Sequence, residues 1–457
     1  MRMISRQIVG RGLAPAANYL KNHGVEFWLM CVVREKRRDG MKRISAGLLV
    51  LVFLFAFFGC TPEVQSLETY NNTNPKEMQM LSVQDGYIVK ENGEQIVLKG
   101  VNLGNWLLWE TWMGFVPEYT EDWAYYDTLA VLSERFGAEK TAELVKAFEE
   151  SFITETDIAQ IESLGFNCVR VPFWYRNFMT ENGAWLTENA DDNPGFQRLD
   201  WLLDQCEAHG IYVILDMHGA PGGQSMNHCT GKAGRNELYE DAGNMDTAKT
   251  LWTAIATRYK DRKALAAYDL LNEPQNNSGY TGEYAWEAES EAAVQRTNAA
   301  YDALYQAVRN ADEQHIISFE GVWSTTVLPN PAENGYENML YQLHLYDSKQ
   351  GMIRYRVKEL KTARENWGVA VIVGEYNNGE NEYYAQKQYN KNKISCIKWN
   401  YKTFNAGTQW GIFNQDVPRL DIKTASYEEI LQFVTTQTPT EAFSFNAEEM
   451  GNLIVNA

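Results

Sequence analysis

The chain has 457 residues, 45% hydrophobic and 13% aromatic, with a net charge of −19. The first 59 residues hold 10 Lys and Arg against 3 Asp and Glu, so the remainder carries 31 against 57. So acidic a body excludes nucleic acid and anionic lipid surfaces as partners and suits a neutral substrate; the apolar content is ample for one large core.

Residues 1–40 precede a complete signal and carry no fold pattern, as a start-site artefact or an unstructured leader would. Residues 41–60 read Met41-Lys42-Arg43, then an apolar run over 44–58, then Gly59-Cys60. A basic start, about 15 apolar residues and a small residue describe a secretory signal. The run falls short of the about 20 residues a spanning helix needs. Gly59-Cys60 resembles the end of a bacterial lipoprotein signal, whose cysteine is lipidated. A secreted or cell-surface protein of the periplasm or outer membrane is expected, attached to the membrane through Cys60 alone. Residues 61–80 are polar and read as a tether. Downstream remain Cys168, Cys206, Cys229 and Cys396. Cys168 and Cys396 fall in predicted strands and read as free buried thiols, and no CxxC or His/Cys spacing points to zinc.

Residues 87–98 alternate around Glu91-Asn92-Gly93-Glu94, a hairpin signal, expected to plug the floor of the fold. Gly100-Val101-Asn102-Leu103 is the first strand. An insertion rich in Trp and Tyr follows, from 104 to about 152. Thr154-x-x-Asp157 opens a helix whose Ile158, Ile161 and Leu164 share one face, and Gly165 closes it. The strand 166–171 carries Arg170 to its end. A helix over 199–209 precedes the strand 211–216, with His218 just beyond. A helix over 247–259 precedes the apolar run from Tyr268 that ends in Asn272-Glu273-Pro274, where proline stops the ladder. A helix over 283–311 precedes the strand 316–320. The strand 340–345 carries His344, with Tyr346 at its end. A helix ending near 367 leads to the strand 370–375, which ends in Glu375. A helix over 383–393 leads to 394–399, which ends in Trp399. Eight strands alternating with helices predict an α/β protein, a (β/α)8 TIM barrel over 81–440 with an N-terminal β-hairpin and aromatic-rich loop insertions. Residues 441–457 read as a C-terminal tail. A monomer is expected.

In such a barrel, function gathers at the C-terminal ends of the strands. Arg170, His218, Asn272, Glu273, His344, Tyr346, Glu375 and Trp399 all fall at or just beyond predicted strand ends. Any one of them alone reads as a salt bridge, a strand cap or a core ring. Together in one structural place they point to a site. Glycoside hydrolysis needs an acid to protonate the leaving oxygen and a counterpart for the oxocarbenium-like centre. Glu273 takes the acid/base role and Glu375 the nucleophile's, with carboxyls expected roughly 5–5.5 Å apart. Arg170 is expected to keep Glu375 ionised. Asn272 is placed to meet a sugar 2-hydroxyl, and Tyr346 to bond the nucleophile. His218 and His344 would hold substrate hydroxyls or Glu273, and Trp399 would form an aromatic floor. The glycine-rich loop 218–224 lacks the spacing of a phosphate cradle. His218, His228 and His344 have no metal-ligand spacing, and the chemistry calls for no metal or cofactor.

This ordered set resembles glycoside hydrolase family 5, the cellulase-containing family, over most of 100–413. Leu271-Asn272-Glu273-Pro274 looks like the family's acid/base signature and Val373-Gly374-Glu375 like its nucleophile strand. Arg170, His218, His344, Tyr346 and Trp399 match the rest of its active-site pattern, which implies the roles above. Gly100-Val101-Asn102-Leu103-Gly104-Asn105-Trp106-Leu107, Phe152-Ile153-Thr154-Glu155-Thr156-Asp157 and the loop 218–224 look like the exo-β-1,3-glucanase branch. That branch tends to have Gln-Asn where this chain has Gln224-Ser225, and His-His-Tyr where it has Leu343-His344-Leu345-Tyr346. The resemblance implies a retaining β-glycoside hydrolase whose partner is a β-glucan oligo- or polysaccharide. β-1,3, β-1,4 and mixed linkages, and smaller glucosides, all stay open. The alternatives are a transglycosylase on the same scaffold and a non-catalytic surface glycan-binding protein; the latter would have lost a catalytic acid, and both are present. Endo or exo action rests on the walls formed by 104–152 and 275–285.

Overall fold

The computed structural model describes residues 76–276 and 290–453. The leader, the Cys60 anchor, the tether up to residue 75, the first residues of the helix expected from 283, and the wall residues 277–285 lie outside the described residues. Strands β1 (Leu81–Gln84) and β2 (Tyr87–Lys90) form an antiparallel hairpin. Its tight turn is Asp85-Gly86, both at positive φ. The expected hairpin was centred one turn later, on residues 91–94. There the chain does turn back on β2, with the Lys90 N–H on the Glu94 carbonyl at 2.9 Å, the Ile96 N–H on the Ile88 carbonyl at 3.0 Å and a bridge between Val89 and Gln95, but forms no further strand. The hairpin closes the floor as expected: Val83 N–H donates to Asn338 Oδ1 at 2.6 Å, at the start of a barrel strand. Residues 76–80, read as tether, are also docked on this floor. Met78 is buried, and Gln79 C=O accepts from the Tyr212 hydroxyl at 3.0 Å.

The barrel strands are β3 (Lys99–Asn102), β4 (Cys168–Trp174), β5 (Tyr212–Gly219), β6 (Leu265–Asp269), β7 (Ile316–Glu320), β8 (Met339–Leu345), β9 (Ala370–Tyr376) and β10 (Ser395–Lys398). They pair in parallel, each with the next, and β10 returns to β3, so the sheet is closed. Every residue of all eight strands is buried. A strand buried on both faces reads as a continuous apolar run, so its polar residues stand out, and they concentrate towards the strands' C-terminal ends. The outer helices show why they form. In the helix Glu155–Ser163, Asp157 accepts from both the N–H and the hydroxyl of Thr154 at 2.8 Å, satisfying donors at the helix start. In the helix Glu291–Arg309, Ala293, Thr297, Ala300, Tyr301, Leu304 and Val308 are buried at helical spacing.

Two expectations need correction. The regular strand β6 stops at Asp269; the N–H groups of Leu270 and Asn272 still donate to the carbonyls of Ser318 and Met217 on β7 and β5, at 3.3 and 3.2 Å, and the chain then bends at Asn272-Glu273. Proline has no N–H to offer, and the Glu273 N–H goes to a side chain, Glu320 Oε2, instead of a neighbouring strand. The insertion 104–152 holds the helices Tyr125–Phe136 and Ala138–Phe152. Its aromatics pack inward, with Trp109 stacked on Tyr125 at 4.8 Å and Phe115 on Phe433 at 5.0 Å. Each fully buried ring contributes about 1.5–3 kcal/mol. Residues 441–453 are not a free tail. Ser444–Phe445 pairs with the strand Phe413–Gln415, and Glu449, on the helix Ala447–Asn452, meets buried Lys398 at 2.5 Å. Cys168, Cys206 and Cys396 are free and buried. Among the described residues, no helix is long and apolar enough to cross a membrane.

Candidate active site

The eight residues singled out from the sequence converge at the C-terminal mouth of the barrel. Arg170, on β4, lies at the centre and is fully buried. Its Nε donates to Asp269 Oδ2 at 2.9 Å, and its Nη1 to Glu375 Oε1 at 2.8 Å. Its Nη2 donates to Asn272 Oδ1 at 2.8 Å and lies 3.1 Å from Asp216 Oδ2. Burial works against this charge, but Asp216, Asp269, Glu375 and Glu320 outweigh it and hold the guanidinium firmly protonated. Gln342 on β8 fixes Asp269 in turn, donating at 2.7 Å. The Gln342 side chain runs across Gly374, where a Cβ would fall 1.6 Å from its Oε1. Glycine before Glu375 is therefore a packing requirement.

Glu375 is held at both oxygens. Arg170 donates to Oε1, and the Tyr346 hydroxyl donates to Oε2 at 2.6 Å. Its carboxyl is thus clamped between a cation and a phenol. Burial, then the negative charges of Glu375 and Glu273, push the Tyr346 phenol well above its ordinary range, so it stays a donor. Glu273 sits differently, past the end of β6 with its backbone at φ +40°. Burial pushes its carboxyl up, against the pull of Arg170. Its Oε1 meets His344 Nδ1 at 2.8 Å. The same nitrogen lies 3.3 Å from Glu375 Oε2. One ligand atom from each of Glu273, His344 and Glu375 lies within 4.8 Å of the others, so the two carboxylates share one small gap. Three such atoms are what a metal would need. Here both Glu375 oxygens already accept hydrogen bonds and a guanidinium stands beside them, so a dication would meet repulsion.

His218 and Trp399 form a second wall. Their rings are parallel, 5.7 Å apart. Burial pushes His218 down to about 4, so the ring is neutral. The 2.7 Å contact of Nδ1 with Asp216 Oδ2 assigns the proton to Nδ1. Nε2 then accepts from Asn272 Nδ2 at 3.3 Å. Asp216, His218, Asn272 and Arg170 are thus one chain of bonds, which fixes the Asn272 amide with its carbonyl toward Arg170. Gln224, in the glycine-rich loop, donates to the carbonyls of His218 and Asn272 at 2.8 and 2.9 Å, tying that loop to the mouth. Trp399 can lie where it does because Gly104 has no side chain; a Cβ there would meet the Trp399 ring at 2.8 Å.

Sequence reasoning missed several members. Asp216 stands two residues before His218 on one strand, hence on the same face, a signal that was readable. Glu320 ends an apolar strand as Glu375 nearly does, and that too was readable. Glu110 carried no signal: it lies in the Trp-rich insertion, buried, accepting from Trp112 Nε1 at 2.8 Å and 3.8 Å from His218 Nε2. Burial pushes it up to about 8. Half-buried Trp112 and Trp410 meet edge to face at 5.0 Å, and Trp410 lies 5.9 Å from Tyr346. Asp216 Oδ1, Asp269 Oδ1, Glu320 Oε1 and His344 Nε2 are all buried with no hydrogen bond among the described residues. Such orphaned atoms gathered in one mouth mark a place built for polar guests.

Comparison with known proteins accords with this geometry. The model of the cellulase family, glycosyl hydrolase family 5, matches residues 134–405. A β-xylosidase of Phanerodontia chrysosporium is 31% identical over 272 residues, 59% of this chain and 52% of that protein. Glucan 1,3-β-glucosidase 1 of Schizosaccharomyces pombe is 27% identical over 43% of this chain and 49% of its own length. The chain thus spans about half the length of these curated relatives. The crystal structure of rutinosidase from Aspergillus niger shares the fold, with a TM-score of 0.56 and 15% identity over 74% of this chain and 96% of that one.

Proposed function

The chain belongs to glycosyl hydrolase family 5, and from that premise we propose that it is a retaining β-glycoside hydrolase acting on β-glucan. Glu375 is the nucleophile. One of its oxygens attacks the anomeric carbon while Glu273 gives its proton to the leaving glycosidic oxygen. The carbon–oxygen bond to the leaving group breaks, and a glycosyl ester forms on Glu375. Glu273, now a carboxylate, takes a proton from water. That water's oxygen bonds to the anomeric carbon, the ester breaks, and the product keeps its β configuration.

The observation that carries this reading is the common gap. Oxygens of Glu273 and Glu375 come within 4.8 Å. So close an approach favours a retaining pair, whose carboxyls stand roughly 5–5.5 Å apart, over an inverting pair at roughly 6.5–9.5 Å. The two acids also differ in the sense the chemistry needs. Glu375 accepts from a cation and a phenol, whereas burial raises Glu273 so that it keeps its proton. Asn272 offers an amide to the sugar 2-hydroxyl, Trp399 a flat face, and His218, His344 and Tyr346 line the gap. The acidic body suits a neutral glucan, and the names of the relatives point to neutral β-linked sugars. β-1,3 and β-1,4 linkages are both carried. The reading includes action outside the cytoplasm, a lipid anchor at Cys60 and a monomeric enzyme.

A panel of β-glucans and aryl β-glycosides tests it, with the anomeric configuration of the first product followed by NMR. Release of β-configured sugar is expected. Release of the α anomer, or no release from any β-linked substrate, would sink the proposal.

A further inference from the structure

Two-carboxylate chemistry leaves a third acid unused. Glu320 ends β7, and its side chain has no exposure to solvent. Its Oε2 accepts the backbone N–H of Glu273 at 2.7 Å. That N–H belongs to a residue in the left-handed region, at φ +40°, which L side chains adopt rarely and only when their surroundings impose it. Its Oε1 lies 3.4 Å from His344 Nδ1 and makes no hydrogen bond among the described residues. Its own backbone is pinned. The Tyr301 hydroxyl accepts from the Glu320 N–H and donates to the Glu320 carbonyl, each at 2.9 Å.

Charge accounting bears on its state. Asp216, Asp269, Glu273, Glu320 and Glu375 all gather around a single guanidinium, that of Arg170. They cannot all be ionised in a buried mouth. Facing Glu320 are Asp269 and Glu273 from β6 and its turn, Arg170 from β4, His344 from β8 and Tyr301 from the helix Glu291–Arg309. Burial first, then Glu273 and Asp269, push the Glu320 carboxyl well above the ordinary range, and Arg170 pulls against them without prevailing.

We propose that Glu320 is a positioning residue for Glu273: its Oε2 accepts the Glu273 N–H, holds that residue's left-handed backbone, and so aims its carboxyl into the gap shared with Glu375. The inference rests on Glu273 being the acid/base of a glycoside hydrolase. Glu320 itself exchanges no proton during turnover. Its neutrality matters because a further fixed anion beside Glu273 would shift the acid's proton affinity without improving its aim.

Two variants of the whole protein test this. Glu320→Gln keeps an acceptor and stays neutral. Its kcat is expected within about threefold of wild type, with the alkaline limb of the pH–rate profile unmoved. Glu320→Ala removes the acceptor. Its kcat is expected to fall on the order of 10- to 100-fold on β-glucosides with poor leaving groups, as misplacement of an acid does. On aryl glucosides of acidic phenols, which need less protonation, the fall should be only about a fewfold. Equal losses on both substrate classes, or no loss on either, overturn the inference. If Glu320→Ala does not fold, Glu320→Gln decides alone: a loss beyond about tenfold, or a downward shift of its alkaline limb, means that the residue works as an anion and overturns the proposal. A wild-type protein inert on every β-glycoside defeats the functional reading and this inference with it. An active wild type with any contrary Glu320 result defeats the inference alone.

Discussion

Glu375 and Glu273 face one gap, yet the fold holds them in opposite ways. Glu375 sits within β9, its backbone fixed by neighbours on both sides of the closed sheet, and both of its oxygens accept hydrogen bonds. Glu273 sits beyond the ladder in a strained turn, with its N–H on a neighbouring carboxyl and its side chain against one imidazole. The first environment aims two donors at its carboxyl. The second, by burial, favours a carboxylic acid. The comparison teaches that two identical side chains acquire different chemistry from the number of donors aimed at each, and from whether the sheet or a turn sets its direction.

The sharpest way to break the comparison is to replace each acid by its amide. Glu375→Gln removes the nucleophile, and turnover of every β-glycoside should vanish. Glu273→Gln removes only a proton donor. The expected loss is ~10²–10⁴ in kcat on poor leaving groups and far less on aryl glycosides of acidic phenols. Matching losses for the two variants across leaving groups would show that the roles are not divided as assigned.

A finer probe is the donor that only Glu375 enjoys. Tyr346→Phe deletes the 2.6 Å hydrogen bond to Oε2 but leaves Arg170 on Oε1. A hydrogen bond to a charged group contributes about 1.5–3 kcal/mol, so kcat/KM should fall roughly ten- to a hundredfold. An unchanged kcat/KM would mean that the phenol does not support the nucleophile.

The smallest effect concerns stability. Burial places the folded Glu110 carboxyl at about 8, above its unfolded value, with Trp112 pulling it down less strongly. The native state then binds more protons than the unfolded one between those two values. Stability from this group is full below the unfolded pKa and is lost as pH rises through about 8. Asp216, raised to about 7 by burial against Arg170, acts in the same direction. The melting temperature should therefore drop between about pH 5 and about pH 8, and Glu110→Gln should flatten part of that slope. Calorimetry across the range checks it; a slope no flatter in the variant would remove Glu110 from the account.

Much of the barrel and site was legible because of one physical constraint. Strands buried on both faces must be apolar, so Arg170, His218, His344 and Glu375 stand out in their runs. The Asn272-Glu273-Pro274 bend was marked by its proline, although the regular strand ends earlier, at Asp269. Asp216 and Glu320 obeyed the same rule and were readable on the same grounds. Glu110, Trp112 and Trp410 were not, because a loop residue's place depends on how the loop folds back. The aromatic insertion was legible only as a composition, for a related reason. Composition cannot tell a ring packed on Phe433 from one facing the mouth.

The order of strands and helices, the barrel they close into and the rim on which the acids fall are set by the chain's own pattern of apolar runs and breaks, since periodicity is a local property. Which oxygen meets which donor, that Glu273 turns left-handed onto Glu320, and that five carboxyls gather around one guanidinium were decided only when distant segments met. Those are long-range contacts. Their energies depend on burial and on distances of a few ångströms, neither of which a linear sequence contains.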